Sequence, residues 1–276
     1  MSNLIKKITA PNGGVFTGGG TNTYLIGKKD ITVIDPGPYI QSHLDEIIKA
    51  GNNNIKRIIV THTHKDHSPG AKPLAETLQV PVMGSFAKFD MSIQDETFEP
   101  DQILYDKDII TTSEYTIEVI HTPGHASNHF CFLIQEEKCL LTGDHIMNGS
   151  TVVIAPPDGN MTEYLDSLKK LDNFDIKLLA PGHGDYLNDP KLVTDWIFNH
   201  RLTREEKVLK SMQILKETSI EKLLLDAYDD VDPHLHPIAL WSLEAHLILS
   251  LIHISEPTRQ SPISYDVFWF KIWVGV

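Results

Sequence analysis

The stretch VTHTHKDHSPG, residues 60–70, places His62, His64, Asp66 and His67 directly behind the apolar run RIIV. A run rich in β-branched residues reads as a strand, and a strand's period of two puts alternate side chains on one face. His62 and His64 therefore share a face and can bind one ion. Gly70 to Pro73 is expected to open a helix, since proline is tolerated in a first helical turn, so the chain bends between strand and helix. The bend lets Asp66 and His67 point toward a second ion. Imidazole and carboxylate without thiolate suit Zn²⁺ first, with Mn²⁺ or Fe²⁺ as alternatives.

The same arrangement recurs along the chain. Asp35 follows ITVI, His121 and His125 follow TIEVI, Asp144 follows CLLTG and His183 follows KLLAPG. Each set lies just past the carboxyl end of an apolar run, and in α/β sheets that edge is where ligand sites assemble. Five segments are thus expected to converge on one rim. The remaining histidines His43, His200, His234, His236, His246 and His253 lack this placement and are expected to serve the core or the surface.

Strand-length runs occur at 22–26, 31–34, 57–60, 80–83, 116–120, 129–134, 138–142 and 176–180, with helical periods at 40–50, 71–78 and 162–171. This alternation predicts an α/β domain over 1–189. From about 190 the strands vanish and long helical periods take over, at 191–216, 219–228 and roughly 236–251. A small helical domain is expected over 190–248, with Thr218 or Ser219 capping its middle helix. The stretch 249–276 differs again: LSLIHISEPTRQ resembles translated sequencing-adapter DNA, and the end VFWFKIWVGV is short and interrupted by Lys271. It is expected to be a non-native tail.

With 41% apolar and 22% charged residues the 276-residue chain is an ordinary globular one. Its formal charge of −13 counts against a polyanionic partner unless basic residues or metal ions dominate locally. Cys131 and Cys139 sit in apolar runs and imply buried thiols, not a disulfide framework. The N-terminal stretch shows no apolar signal core, so a cytoplasmic location without membrane association is expected. The glycines of PNGGVFTGGGTNTY lack the GK[ST] ending of a P-loop, and no G-x-S-x-G elbow is present.

Taken in order, GTNTYLIG, VIDPGP, HTHKDH, HTPGHASNH, LTGDH and APGHG resemble the metallo-β-lactamase superfamily over roughly residues 8–188. The resemblance implies an αββα sandwich with two zinc ions. His62, His64 and His125 would hold the first; Asp66, His67 and His183 would hold the second; Asp144 would bridge them, and Asp35 would brace the ligand loops. It implies a metal-dependent hydrolase using a hydroxide shared by both ions, with Asp66 orienting that hydroxide and His129 contacting substrate or protonating the leaving group.

Within the superfamily, TPGHASNH and DAYDDVDPHLHPIALWSLEAHL resemble the beta-lactamase-like protein 2 branch and its C-terminal winged-helix-like module. The expected basic, glycine-containing wing is replaced by the tail. The branch implies an endoribonuclease acting on single-stranded RNA. A glyoxalase II-like thioesterase or a lactonase is the alternative, and a non-catalytic nucleic-acid-binding adaptor is the alternative of another class. Self-association into a homo-oligomer stays open.

Overall fold

The computed structural model describes residues 4–89 and 91–255, with side chains described as far as Ser250. The first sheet holds six strands in chain order: β1 (Ile5–Thr9), β2 (Asn22–Ile26), β3 (Ile31–Ile34), β4 (Ile55–Ile59), β5 (Val82–Gly84) and β6 (Gln102–Ile103). From β3 to β6 neighbours are parallel, which requires crossovers; α1 (Gln41–Gly51) and α2 (Ala71–Leu78) supply the first two. The second sheet runs in the order β12-β11-β10-β9-β8-β7. Its strands are β7 (Ile109–Thr111), β8 (Thr116–His121), β9 (Phe130–Ile134), β10 (Cys139–Gly143), β11 (Leu178–Pro181) and β12 (Leu187–Asn188), with α3 (Met161–Lys170) crossing between the parallel pair β10 and β11.

Alternation along the strands explains the layers. In β2, Tyr24 and Ile26 join Ile34 of β3 and Ile59 of β4 in a core shared with Ile117, Phe132 and Leu141 of the second sheet. The intervening residues Leu25, Val33 and Ile58 face the other way and pack on Leu44 and Ile47 of α1 and Leu74 of α2. Both faces of the first sheet are covered, so its inner strands read as unbroken apolar runs. The expected α/β sandwich, two sheets with flanking helices, is therefore present.

The chain divides after Ile197 into two compact units. That point lies inside α4 (Pro190–Leu215), past the boundary expected at 190. The second unit continues with α5 (Ile220–Ala227), whose N-cap Ser219 accepts from the Lys222 amide, and α6 (His236–Ser255). Its core joins Val208, Leu223, Leu224, Ala227 and Leu243, and no strand occurs among its described residues. The suspected tail begins inside α6, and residues 256–276 lie outside the described residues. Among the described residues no helix is long and apolar enough to cross a membrane.

Candidate metal centre

Every predicted ligand sits where the first unit's strands end or their connections leave. His62, His64 and His125 form one group and Asp66, His67, Asp144 and His183 another, the ligand atoms of each group lying within 4.8 Å of one another. In the first group, His64 Nδ1 is 3.0 Å from both His62 Nε2 and His125 Nε2. In the second, His67 Nε2 and His183 Nε2 are 3.3 Å apart, and each lies 3.3 Å from Asp144 Oδ1. Asp144 Oδ2 is 3.6 Å from His125 Nε2, so this one carboxylate turns an oxygen toward each group. His121 stays outside, its Nε2 on the Ser127 carbonyl.

The backs of the rings decide which nitrogens are bare. His125 Nδ1–H donates to the Val153 carbonyl at 2.7 Å, and His183 Nδ1–H donates to the Gly20 carbonyl at 3.2 Å. His67 Nδ1–H donates to Asp35 Oδ2 at 2.8 Å. The Thr61 hydroxyl donates to the same carboxylate oxygen at 2.7 Å, so it can only accept from His62 Nδ1–H. Each of these four rings thus has its Nδ1 occupied and Nε2 aimed inward, the outer-shell arrangement that raises the basicity of metal ligands, while His64 turns Nδ1 inward.

These contacts fit a metal better than they fit hydrogen bonds. His62 and His125 both aim lone pairs at His64 Nδ1, a nitrogen that can carry at most one proton. Asp144 Oδ1 is buried without a hydrogen-bond partner. A cation at the centre of each group satisfies both, and a lone pair or carboxylate oxygen left buried and unpaired is costly.

Charge differs between the groups. Burial and neighbouring imidazoles hold His62 well below the ordinary imidazole range and bring His64 down to about 3. Burial also opposes a charge on His67 and His183. The carboxylates around them prevail, raising His67 well above its ordinary value and His183 to about 10. In return, and against burial, those imidazoles bring Asp66 down to about 2 and hold Asp144 well below the carboxylate range. The first group is a set of neutral lone pairs; in the second, protons balance two carboxylates.

Asp35 holds the two groups in register. It has a left-handed φ of 49° and is 2% exposed, and its Oδ1 accepts from the Thr61 amide while Oδ2 receives the Thr61 hydroxyl and His67. One carboxylate therefore orients a ligand of each group, directly through His67 and through Thr61 to His62. A non-glycine residue in this backbone region costs of order 1–3 kcal/mol and persists only when its surroundings over-determine it.

His129, expected to meet substrate, lies behind the turn that carries Asp144. The ring is fully buried, its Nε2 accepts from the Asp144 amide at 3.1 Å, and its Nδ1 therefore carries the proton shared with Thr122 Oγ1 at 2.9 Å. Burial and the nearby His145 and His125 keep it neutral. His129 props the turn that presents Asp144. Gly143 in that turn has φ 46°, and a Cβ there would lie 2.7 Å from His129 Nε2, which explains the glycine. The two thiols, each raised by burial to about 12, are inert structural groups.

Sequence reasoning missed Thr61, Thr122 and the carbonyls of Gly20 and Val153. Thr61 adjoins His62, but a threonine ending a strand carries no signal of its own.

Residues 16–183 match the metallo-beta-lactamase superfamily. The chain belongs to it. As a metallo-beta-lactamase superfamily protein it is a hydrolase, with His/Asp clusters suited to binding metal ions. It is 28% identical over 239 residues to a beta-lactamase-like protein 2 homolog from Caenorhabditis elegans, covering 83% of this chain and 78% of the relative. It is 26% identical over 220 residues to an atrochrysone carboxyl ACP thioesterase from Cryptosporiopsis sp., covering 78% of this chain and 65% of that protein. A beta-lactamase domain protein from Burkholderia ambifaria superposes with a TM-score of 0.76 at 18% identity, covering 91% of this chain and 86% of that one, a likeness of fold.

Proposed function

We propose that the chain is a two-zinc hydrolase that cleaves an uncharged acyl ester or thioester. The observation that carries the two-ion reading is Asp144, whose oxygens turn to separate groups of inward-facing nitrogens. Two zinc ions held there would supply activated water and an electrophile for the scissile oxygen. Asp66 has the most exposed side chain of the ligands, at 28%, and its Oδ2 is placed to accept a proton from entering water. Thr21 Oγ1 donates to that oxygen at 3.4 Å and keeps it turned toward the centre.

The choice of a carbonyl rests on charge. The segments around the centre, 10–21, 35–40, 61–70, 85–89, 91–101, 122–129, 144–160 and 181–186, contain two cationic side chains, Lys65 and Lys88, beside a larger number of carboxylates. Lys65 is bonded to the Ser92 carbonyl and Lys88 lies 3.8 Å from Glu163. A groove that tracks a nucleic-acid backbone needs the opposite balance. The likeness to a thioesterase supports the same choice.

Single-stranded RNA, implied by the branch resemblance, is the second reading. The exposed rings of Tyr39, Phe86 and Phe89 favour it, since bases stack on such surfaces, and metal cations would offset the acidic rim locally. Zinc-loaded full-length chain incubated with a neutral thioester and with labelled single-stranded RNA separates the two. The expected result is thioester turnover that chelator abolishes and zinc restores. RNA cleaved while thioester stays intact would establish the second reading instead.

A further inference from the structure

The connection between β1 and β2 has no charged residue, and its tip is apolar. Gly14 and Gly18 pair across a tight turn with hydrogen bonds of 3.1 and 2.8 Å, leaving Val15 75% and Phe16 53% exposed. The turn is anchored, not loose. Thr17 Oγ1 donates to the Asn12 carbonyl at 2.6 Å, and the Asn12 side chain accepts the Thr21 amide and donates to the Thr21 hydroxyl. Thr21 in turn bonds Asp66 and pairs with His183. The apolar tip is therefore tied to the second metal group.

A second apolar projection follows β5. Phe86 is 58% and Phe89 45% exposed, and this loop is stitched to the His125 segment: Asn128 Nδ2 donates to the Ser85 carbonyl and the Lys88 amide donates to Ser127 Oγ, both at 2.8 Å. This projection is tied to the first metal group. Exposed apolar side chains standing singly need no explanation, whereas two anchored sets flanking a reactive centre mark a binding surface.

We propose that Val15 and Phe16 on one loop, with Phe86 and Phe89 on the other, bind the apolar acyl chain of a neutral thioester whose carbonyl sits at the metal centre. The inference rests on the carbonyl reading above and adds the acyl group it selects. Charge complementarity chooses this occupant, because the surrounding segments offer few cations to a phosphate, a carboxylate or a second anionic partner. Hydrolysis joins the oxygen of water to the acyl carbon and breaks the C–S bond; the thiol leaves with one proton and the new carboxylic acid releases the other.

The test uses zinc-loaded full-length chain and acetyl, butyryl, hexanoyl and octanoyl thioesters of N-acetylcysteamine, whose leaving thiol is uncharged. The expected kcat/KM rises roughly fourfold per methylene, the worth of burying one CH₂. Phe16→Ser and Phe86→Ser flatten that slope, mainly through KM. Acetyl and octanoyl thioesters turned over equally, with both variants matching the parent, would overturn the acyl site and leave the hydrolase reading standing. No turnover at any length, with single-stranded RNA cleaved, would overturn both.

Discussion

Each unit of the chain buries histidine with carboxylate, and the two clusters come to opposite ends. In the helical unit, Glu205 is 5% exposed and accepts from His246 Nδ1 at 2.7 Å and from the Ser250 hydroxyl. Glu205 takes both donors, its partners radiate outward from it, and the one bare ring nitrogen, His246 Nε2, is buried without a hydrogen-bond partner on the far side of the ring. In the first unit, outer partners take the far sides of the rings, and the bare nitrogens converge. Burial and charge are common to both; lone pairs that converge on one point, as those of His62 and His125 do on His64 Nδ1, are found in the metal centre. Clusters of buried histidine and acid are thus not equivalent, and the direction in which hydrogen bonds run tells them apart.

The largest effect is expected from removing a convergent group. His64→Ala, or Asp144→Ala at the point shared by both groups, should lower bound zinc by at least one ion and kcat/KM by roughly 10³-fold or more. Metal analysis alongside a thioester assay measures both. Glu205→Gln, which disturbs the other cluster, should leave zinc stoichiometry at the parent value. Equal zinc loss in Glu205→Gln would erase the distinction between the clusters.

Next comes the carboxylate that sets the rings. Asp35→Ala removes the acceptor of His67 Nδ1–H and of the Thr61 hydroxyl, so both groups lose an oriented ligand. Removing such outer-shell partners costs about 10–100-fold in metal affinity, which competition with a chromophoric chelator would read. An unchanged affinity would mean that packing alone orients His62 and His67.

A smaller change is expected at His129. Glutamine can place an acceptor near the position of Nε2 and keep the Asp144 amide satisfied; leucine cannot. His129→Leu should weaken zinc binding by about tenfold, at the lower end for an outer-shell group, while His129→Gln stays close to the parent. If His129→Leu kept full zinc affinity but lost turnover, with the loss concentrated on one limb of the pH profile, the ring would be acting on substrate after all.

Much of this was legible because ligands follow strands. NTYLI and ITVI read as buried strands and are β2 and β3 of the covered sheet, and each ligand segment sits past a run of this kind. The edge strands escaped: β1 is IKKIT, with two lysines in five residues, and β6, β7 and β12 are two or three residues long, too short for a period to show. β4 begins at Ile55, two residues before the apolar run that announced it, because Lys56 faces solvent. For His129 the resemblance implies a contact with substrate, whereas its bond to a backbone amide fifteen residues on is one that no pattern of side chains can announce. The bracing of His62 through Thr61 was hidden for the same reason.

The smallest effect concerns the helical cluster itself, where the comparison predicts titration in place of metal binding. Burial holds His246 below the ordinary imidazole range against the pull of Glu205, with Arg201 and Arg204 also disfavouring a charge, and His200 is lowered by burial in the same way. In the unfolded chain these rings take up protons near pH 6.5. In the folded chain they do so only at lower pH. Below about 6.5 the unfolded state therefore binds more protons, so stability present above that value is lost as pH falls toward the folded pKa. Hydrogen exchange of α5 and α6 amides in the full chain, corrected for the intrinsic pH dependence of exchange, should show lower opening free energies at about pH 5 than at about pH 7.5. His246→Asn keeps a donor for Glu205 but cannot titrate, so it should reduce that difference and leave only the His200 share. An undiminished pH dependence in His246→Asn would assign the loss to other groups and leave His246 as a fixed donor, satisfied by Glu205 at every pH tested.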